Sequence, residues 1–180
     1  KQNMSEMGWS FIRRILHSAE DTCLVLNAYL NAYRRLDPHS EAPNEIAVSP
    51  VDRSAMIRIP LASKASQRIE VRSVGPDVNP YMAIYTLLRT GMEGPEPDPN
   101  APQPKRIRKR TLPGDIYEAM AAHRRSAWVR EVLGEDCQMK YNELKEASAN
   151  RCPHELGTRI KRAEIMFHHE VTNQMLWNIF

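Results

Sequence analysis

The sequence predicts an α+β fold: a short antiparallel sheet packed with helices and followed by a helical C-terminal segment. Three observations carry this expectation. Arg53-Ser54-Ala55-Met56-Ile57-Arg58-Ile59-Pro60 and Arg68-Ile69-Glu70-Val71-Arg72 alternate charged with aliphatic side chains at the period of a strand. Apolar residues at helical spacing fill Ser5 to His17 before them and return from Asp115 onward. Between these blocks, Gly94 to Arg110 holds five prolines and no period, which marks an exposed linker.

Composition narrows the class further. A chain of 180 residues, 42% hydrophobic, can bury one sizeable core or two small ones. A net charge of +3 is too mild to argue by itself for nucleic acid or an anionic membrane. Cys23, Cys137 and Cys152 are far apart, odd in number and without CxxC spacing, which suggests neither a disulfide framework nor a zinc site and points to a reducing cytoplasm. No run of about 18 apolar residues is present to span a bilayer. Lys1-Gln2-Asn3-Met4 lacks the charge order and apolar block of a signal peptide. Because the first residue is not Met, the sequence is expected to be part of a longer chain.

The elements follow in order. Met7, Trp9, Phe11, Ile12, Ile15 and Leu16 recur near helical spacing behind Ser5, a good N-cap, so an amphipathic helix is expected there. Asp21 to Leu36 is mixed in character and is expected to form loops or short turns that place Tyr29, Tyr33, Arg34 and Arg35, before Asp37-Pro38 breaks any helix. Ser40-Glu41-Ala42-Pro43 suits a surface loop, and Ile46 to Ser49 a strand. After the hairpin, Asn79-Pro80 is a helix start with a polar cap and Pro in the first turn, and the helix should end at Gly91. Lys105 to Arg110 is basic at five positions of six but has no aromatic residue to stack on bases, so a solvated loop is preferred to a nucleic-acid patch. From Asp115, Ile116, Met120, Trp128, Val129, Val132 and Leu133 form one helical stripe ended by Gly134, and Leu144 lies in a second helix interrupted at Cys152-Pro153. Met175, Leu176, Ile179 and Phe180 give the closing segment an apolar face. His168 and His169 are adjacent rather than four apart, so they cannot share a metal on one helix face.

The central hairpin is the candidate site. Its alternation places Arg68, Glu70 and Arg72 on one face with Ile69 and Val71 on the other, and Arg58 opposes Ile57 and Ile59 in the same way. A half-solvated antiparallel hairpin shows this pattern with no further role. A face of guanidinium groups around one carboxylate could also grip an anion.

Several stretches resemble, in order, the C-terminal half of the glutamine synthetase catalytic domain. Asn31-Ala32-Tyr33-Arg34-Arg35-Leu36 is similar to that family's Asn-Ser-Tyr-Lys-Arg-Leu, and Ser40-Glu41-Ala42-Pro43 to its Tyr-Glu-Ala-Pro. Asp52-Arg53-Ser54-Ala55 with Ile57-Arg58-Ile59-Pro60 resembles Asn-Arg-Ser-Ala then Ile-Arg-Ile-Pro; Arg68 to Arg72 and Asn79-Pro80-Tyr81 complete the series. The specific likeness runs from Ser5 to Gly94, and a weaker one continues to Leu133-Gly134.

The resemblance implies an ATP-dependent ligase in which glutamate's side-chain carboxylate is phosphorylated and ammonia displaces the phosphate. It implies that Glu70 is a ligand of Mg²⁺ or Mn²⁺, that Arg35, Arg53 and Arg72 hold substrate, and that Arg53 and Arg58 sit by the phosphates. It implies that Glu41, with Arg53, is catalytic, Glu41 closing the site and taking a proton from ammonium. It also implies residues 1–94 as the C-terminal part of the catalytic domain, 95–112 as a linker and 113–180 as a helical segment. The family's N-terminal β-grasp domain and the first half of its catalytic domain would precede Lys1, so the chain alone is expected to be inactive, with exposed sheet edges. A full-length parent is expected to be a cytoplasmic homo-oligomer with no nucleic-acid or membrane partner.

The sequence also departs from the family. The flap tyrosine is Ser40, and Ile46 to Val51 lacks the aromatic and the arginine of many members. Ser73-Val74-Gly75-Pro76-Asp77 is closer to the γ-glutamyl-polyamine synthetase branch, and Ser148 to Phe167 resembles an insertion. Two alternatives stay open: a ligase joining glutamate to a larger amine, and a non-catalytic binding protein of the same fold.

Overall fold

The computed structural model describes residues 4–36, 42–98 and 109–150. These form seven α-helices, a 3-10 turn and a small three-stranded sheet, in agreement with the α+β expectation. Ser40 and Glu41, Lys105 to Arg108, Cys152-Pro153, His168-His169 and the closing apolar segment lie outside the described residues.

α1 (Glu6–His17) begins where expected: Ser5 is its N-cap and its hydroxyl accepts the N–H of Gly8 at 3.1 Å. Ile12 and Ile15 bury the inner face. Asp21 to Leu36 differs from the expected loop and contains α2 (Ala19–Leu26) and α3 (Leu30–Arg35). The reason is physical. In α2 Ala19, Thr22, Cys23, Leu24, Val25 and Leu26 are all buried, so no polar face marks a helical period. α3 is six residues long, too short to display one.

β1 (Glu45–Ser49), β2 (Ala55–Arg58) and β3 (Glu70–Val71) form the sheet in that order. β2 and β3 are antiparallel, as expected of the hairpin, and their register sets Ile57 opposite Val71 and Arg58 opposite Glu70. β1 joins β2 in parallel, so the sheet is mixed rather than wholly antiparallel. Parallel neighbours ordinarily need a crossover of about a dozen residues, whereas here residues 50–54 make the return. Side chains hold that return. Ser49 Oγ accepts the N–H groups of Val51 and Asp52, and Asp52 Oδ1 accepts the N–H and Oγ–H of Ser54 at 2.9 and 2.7 Å.

The Pro-rich stretch is tied down where it is described. Thr111 bridges Glu45, Ile46 N–H donates to Arg110 O, and Leu112 N–H donates to Asn44 O, so residues 110–112 line the outer edge of β1. Lys109 pairs with Glu45 at 2.6 Å. At the other end, Glu96 accepts from Ser10 at 2.7 Å and Arg14 donates to Gly94 O at 2.7 Å. Among the described residues the outer side of β3 has no paired strand. Ala42 and Pro43, expected on a surface loop, are buried beside Asn44, whose amide donates to Leu36 O.

α4 (Pro80–Glu93) is capped by Asn79, whose carbonyl oxygen accepts from Tyr81 and Met82, with Pro80 opening the helix. It runs past Gly91 to Gly94. Gly91 is no terminator: a Cβ there would overlap the Phe11 ring, so it is the point where α1 and α4 approach. The expected single stripe after Asp115 is two helices, α5 (Ile116–Arg125) and α6 (Ala127–Leu133), separated by Ser126, whose hydroxyl caps Val129. Gly134, with φ of 84°, ends α6, and α7 (Glu135–Ala149) follows.

The main core joins Ile12, Ile15, Leu24, Met56, Ile57, Ile116 and Met120 between α1, α2, the sheet and α5. Between α5 and α7 the packing is polar. Gln138 donates to the carbonyls of His123 and Ser126, and Asn142 donates to His123 Nδ1 at 2.7 Å. No helix of the described residues is long and apolar enough to cross a membrane.

Candidate active site

The outer face of β2 and β3 gathers the charges. Because Arg58 and Glu70 are register partners, their side chains emerge on one face, and Arg58 Nη1 lies 3.3 Å from Glu70 Oε2. Arg68 takes the other oxygen, Glu70 Oε1, at 2.8 Å. Glu70 is thus held between two guanidiniums, with its side chain 27% exposed. Exposed pairs of this kind contribute little to stability, about 0–1 kcal/mol each. The arrangement serves charge placement more than folding.

Arg72 follows β3 directly. Its N–H pairs with Met56 O, and its guanidinium donates to Asp52 O at 3.2 Å. That contact pins the 50–54 return, which carries Arg53 exposed at its tip. Asp52 is kept below the usual carboxylate range by the hydroxyl and N–H of Ser54, with Lys109 and Arg72 adding to the effect.

Arg35 arrives from a different element. It occupies the last turn of α3 and reaches across to the chain after β3, donating to Arg72 O at 2.8 Å and Val74 O at 3.3 Å. Arg35, Arg58, Glu70 and Arg72 are therefore joined through direct hydrogen bonds or strand pairing, and Arg53 sits on the loop that Arg72 holds. Glu41 lies outside the described residues.

Strand alternation placed Arg68 on the face with Glu70, but sequence reasoning left Asp52 out of the site: its role is to brace a loop through Ser54 and the Arg72 guanidinium, and a lone Asp before Arg-Ser carries no such signal. Cys23 is no candidate nucleophile, because burial pushes its thiol up to about 12.

A hard divalent cation takes six or more oxygen ligands. Among the described residues no group of three His, Cys, Asp or Glu side chains could hold a metal, and both oxygens of Glu70 already face arginines. The described residues do not fit a complete metal site; Glu70 is one available carboxylate. What the face can do by itself is bind carboxylate or phosphate oxygens through guanidinium forks.

The whole stretch from residue 1 to 164 matches the glutamine synthetase catalytic domain, well past Gly134 where the recognisable motifs end. A glutamine synthetase of Staphylococcus aureus is 35% identical over 147 residues, covering 74% of this chain and 33% of the relative. One from Thermus thermophilus is 34% identical over 156 residues, covering 79% of this chain and 35% of the relative. The chain spans about a third of the length of these curated relatives.

Proposed function

Because this chain belongs to the glutamine synthetase catalytic-domain family, we propose that its arginine face is the acid-substrate and phosphate side of a glutamate–ammonia ligase site. The observation that carries the reading is the joining of Arg35, Arg58, Glu70 and Arg72 across α3, β2 and β3. Arg35 and Arg72 hold glutamate carboxylate oxygens. Arg58, and Arg53 from its loop, neutralise the phosphates of ATP.

In the proposed reaction the glutamate side-chain oxygen attacks the γ-phosphorus and the bond to ADP breaks, giving γ-glutamyl phosphate. Ammonia then attacks the acyl carbon and phosphate leaves. Charge builds on phosphoryl oxygens in the first step, and fixed guanidiniums stabilise it without reorganisation. Glu41 accepts the proton that the incoming ammonium gives up. Glu70 would offer one oxygen to a bound Mg²⁺ or Mn²⁺, exchanging an arginine contact for it, and the ion would add positive charge beside the phosphates. Residues 1–94 are proposed as the binding part, 95–112 as a connection and 113–180 as a helical support. The active protein is proposed to be a homo-oligomer.

A second reading, in which a larger amine replaces ammonia, is favoured by Gly75 and Asp77. Gly75 is buried, and a Cβ on it would stand 3.0 Å from Asp77 Oδ1, so the loop after Arg72 has a shape a bulkier residue would change.

The test is a chimera in which residues 1–150 of this chain replace the matching segment of the Thermus thermophilus relative. ADP release should depend on glutamate and ammonia, and Arg72→Lys should lower it about tenfold or more, since lysine cannot form the bidentate fork. Exclusive use of putrescine in place of ammonia would select the second reading. A folded chimera that binds glutamate without turnover would instead favour a binding protein of the same fold.

A further inference from the structure

Lys145 on α7 is only 4% exposed, yet no carboxylate forms an ion pair with it among the described residues. Its ammonium lies 4.1 Å from the centre of the Tyr29 ring and 5.1 Å from that of Tyr141. An unpaired buried ammonium is costly, and two aromatic faces offset part of that cost. Burial lowers the Lys145 pKa while the charge of Asp77 opposes the shift, which places Asp77 within electrostatic reach.

The groups around this ammonium belong to the supports of the arginine face. Tyr29 is the N-cap residue of α3, the helix that ends in Arg35. Asp77 follows the loop that Arg35 grips through Arg72 O and Val74 O. That loop also presses on α3: a Cβ on Gly75 would lie 3.3 Å from Ala32 Cβ and 3.4 Å from Asn27 Oδ1. Gly75 N–H donates to Leu26 O at 2.8 Å. Asp77 Oδ1 and Asn27 Oδ1 are both buried without a hydrogen-bond partner, so the junction is held by charge and packing more than by direct hydrogen bonds between these side chains.

We propose that Lys145 is a positioning residue: its ammonium, clamped between Tyr29 and Tyr141, fixes the start of α3 against α7 and so sets where Arg35, and the 72–75 loop that Arg35 grips, stand. The consequence for substrate rests on the reading of those arginines as carboxylate holders; the positioning itself does not.

The experiment uses the 180-residue chain and follows the Arg35 and Arg72 guanidinium N–H resonances with L-glutamate as titrant. Lys145→Met keeps the stem and removes the charge, and Lys145→Arg keeps a cation that stacks on tyrosine. In folded Lys145→Met the Arg35 N–H should lose its exchange protection by about tenfold or more and glutamate should bind about fivefold more weakly or worse, with Lys145→Arg restoring most of both. Tyr29→Leu should have the same effect and should not add to Lys145→Met; it carries the same readout if Lys145→Met does not fold. Unmoved Arg35 signals in a folded variant, or no rescue by arginine, would overturn the proposal. If wild type binds no glutamate while the Arg35 signals still respond to Lys145→Met, the substrate reading fails and the positioning role stands.

Discussion

Glu70 restrains the arginines around it more than it stabilises the fold. Glu70→Gln should change unfolding free energy by less than about 1 kcal/mol, because both pairs are open to solvent. Inorganic phosphate should bind severalfold tighter to that variant by calorimetry, since Arg58 and Arg68 lose the carboxylate that competes for them; equal or weaker binding would contradict the assignment. His123 gives a second, independent prediction. It is fully buried, and burial pushes its imidazole down from 6.5 to about 4. Below 6.5 the unfolded chain takes a proton that the folded chain refuses until about 4. The resulting stability is fully present above 6.5 and is lost as pH falls toward about 4. The amount is on the order of 3 kcal/mol. Urea unfolding at pH 7 and 4.5 should show that loss, and His123→Leu should remove most of it. Strand alternation was enough to find Arg58, Arg68, Glu70 and Arg72, while Arg35 was found by family likeness. His123 and Lys145 gave no signal, because a His or Lys on an amphipathic helix looks the same whether its face meets water or another helix.

Among the elements, capped helices were legible and buried ones were not. Ser5 and Asn79 announced α1 and α4 through side chains that cap the first turn. Asn79→Ala should cost about 1 kcal/mol by chemical unfolding. α2 hid because nearly every face of it is covered, and α6 because Ser126 both ends one helix and caps the next. Parallel pairing of β1 escaped detection since a five-residue return is not ordinarily a crossover; it depends on Ser49 and Asp52 closing the backbone on themselves. Gly91 shows how one residue type carries different meanings. It stands inside α4, where the Phe11 ring needs the space. Gly91→Ala should therefore destabilise the chain by about 1–3 kcal/mol despite alanine's better helix propensity. An unchanged or raised melting temperature would show that Phe11 can move aside freely.

At the scale of the whole molecule, the helical segment from α5 to α7 packs on α2 and α4, while Arg58 and Arg68 stay exposed on the sheet among the described residues. Tyr85 donates to Val132 O and Trp128 donates to Thr90 Oγ1, tying α4 to α6. Tyr81, Ile84, Leu88 and Met92 lie exposed along α4. Ile84→Lys with Leu88→Lys should leave the melting temperature nearly unchanged, because surface positions usually shift stability within about 0.5 kcal/mol. The central claim is that α3, β2 and the residues flanking β3 bring their arginines together to hold an acidic substrate. Titrating the ¹⁵N-labelled chain with L-glutamate tests it most directly. The account predicts saturable shifts centred on Arg35, Arg58 and the 70–75 strand and loop, weakened about tenfold by Arg72→Lys. Shifts that spread without focus, or that survive Arg72→Lys unchanged, would contradict it.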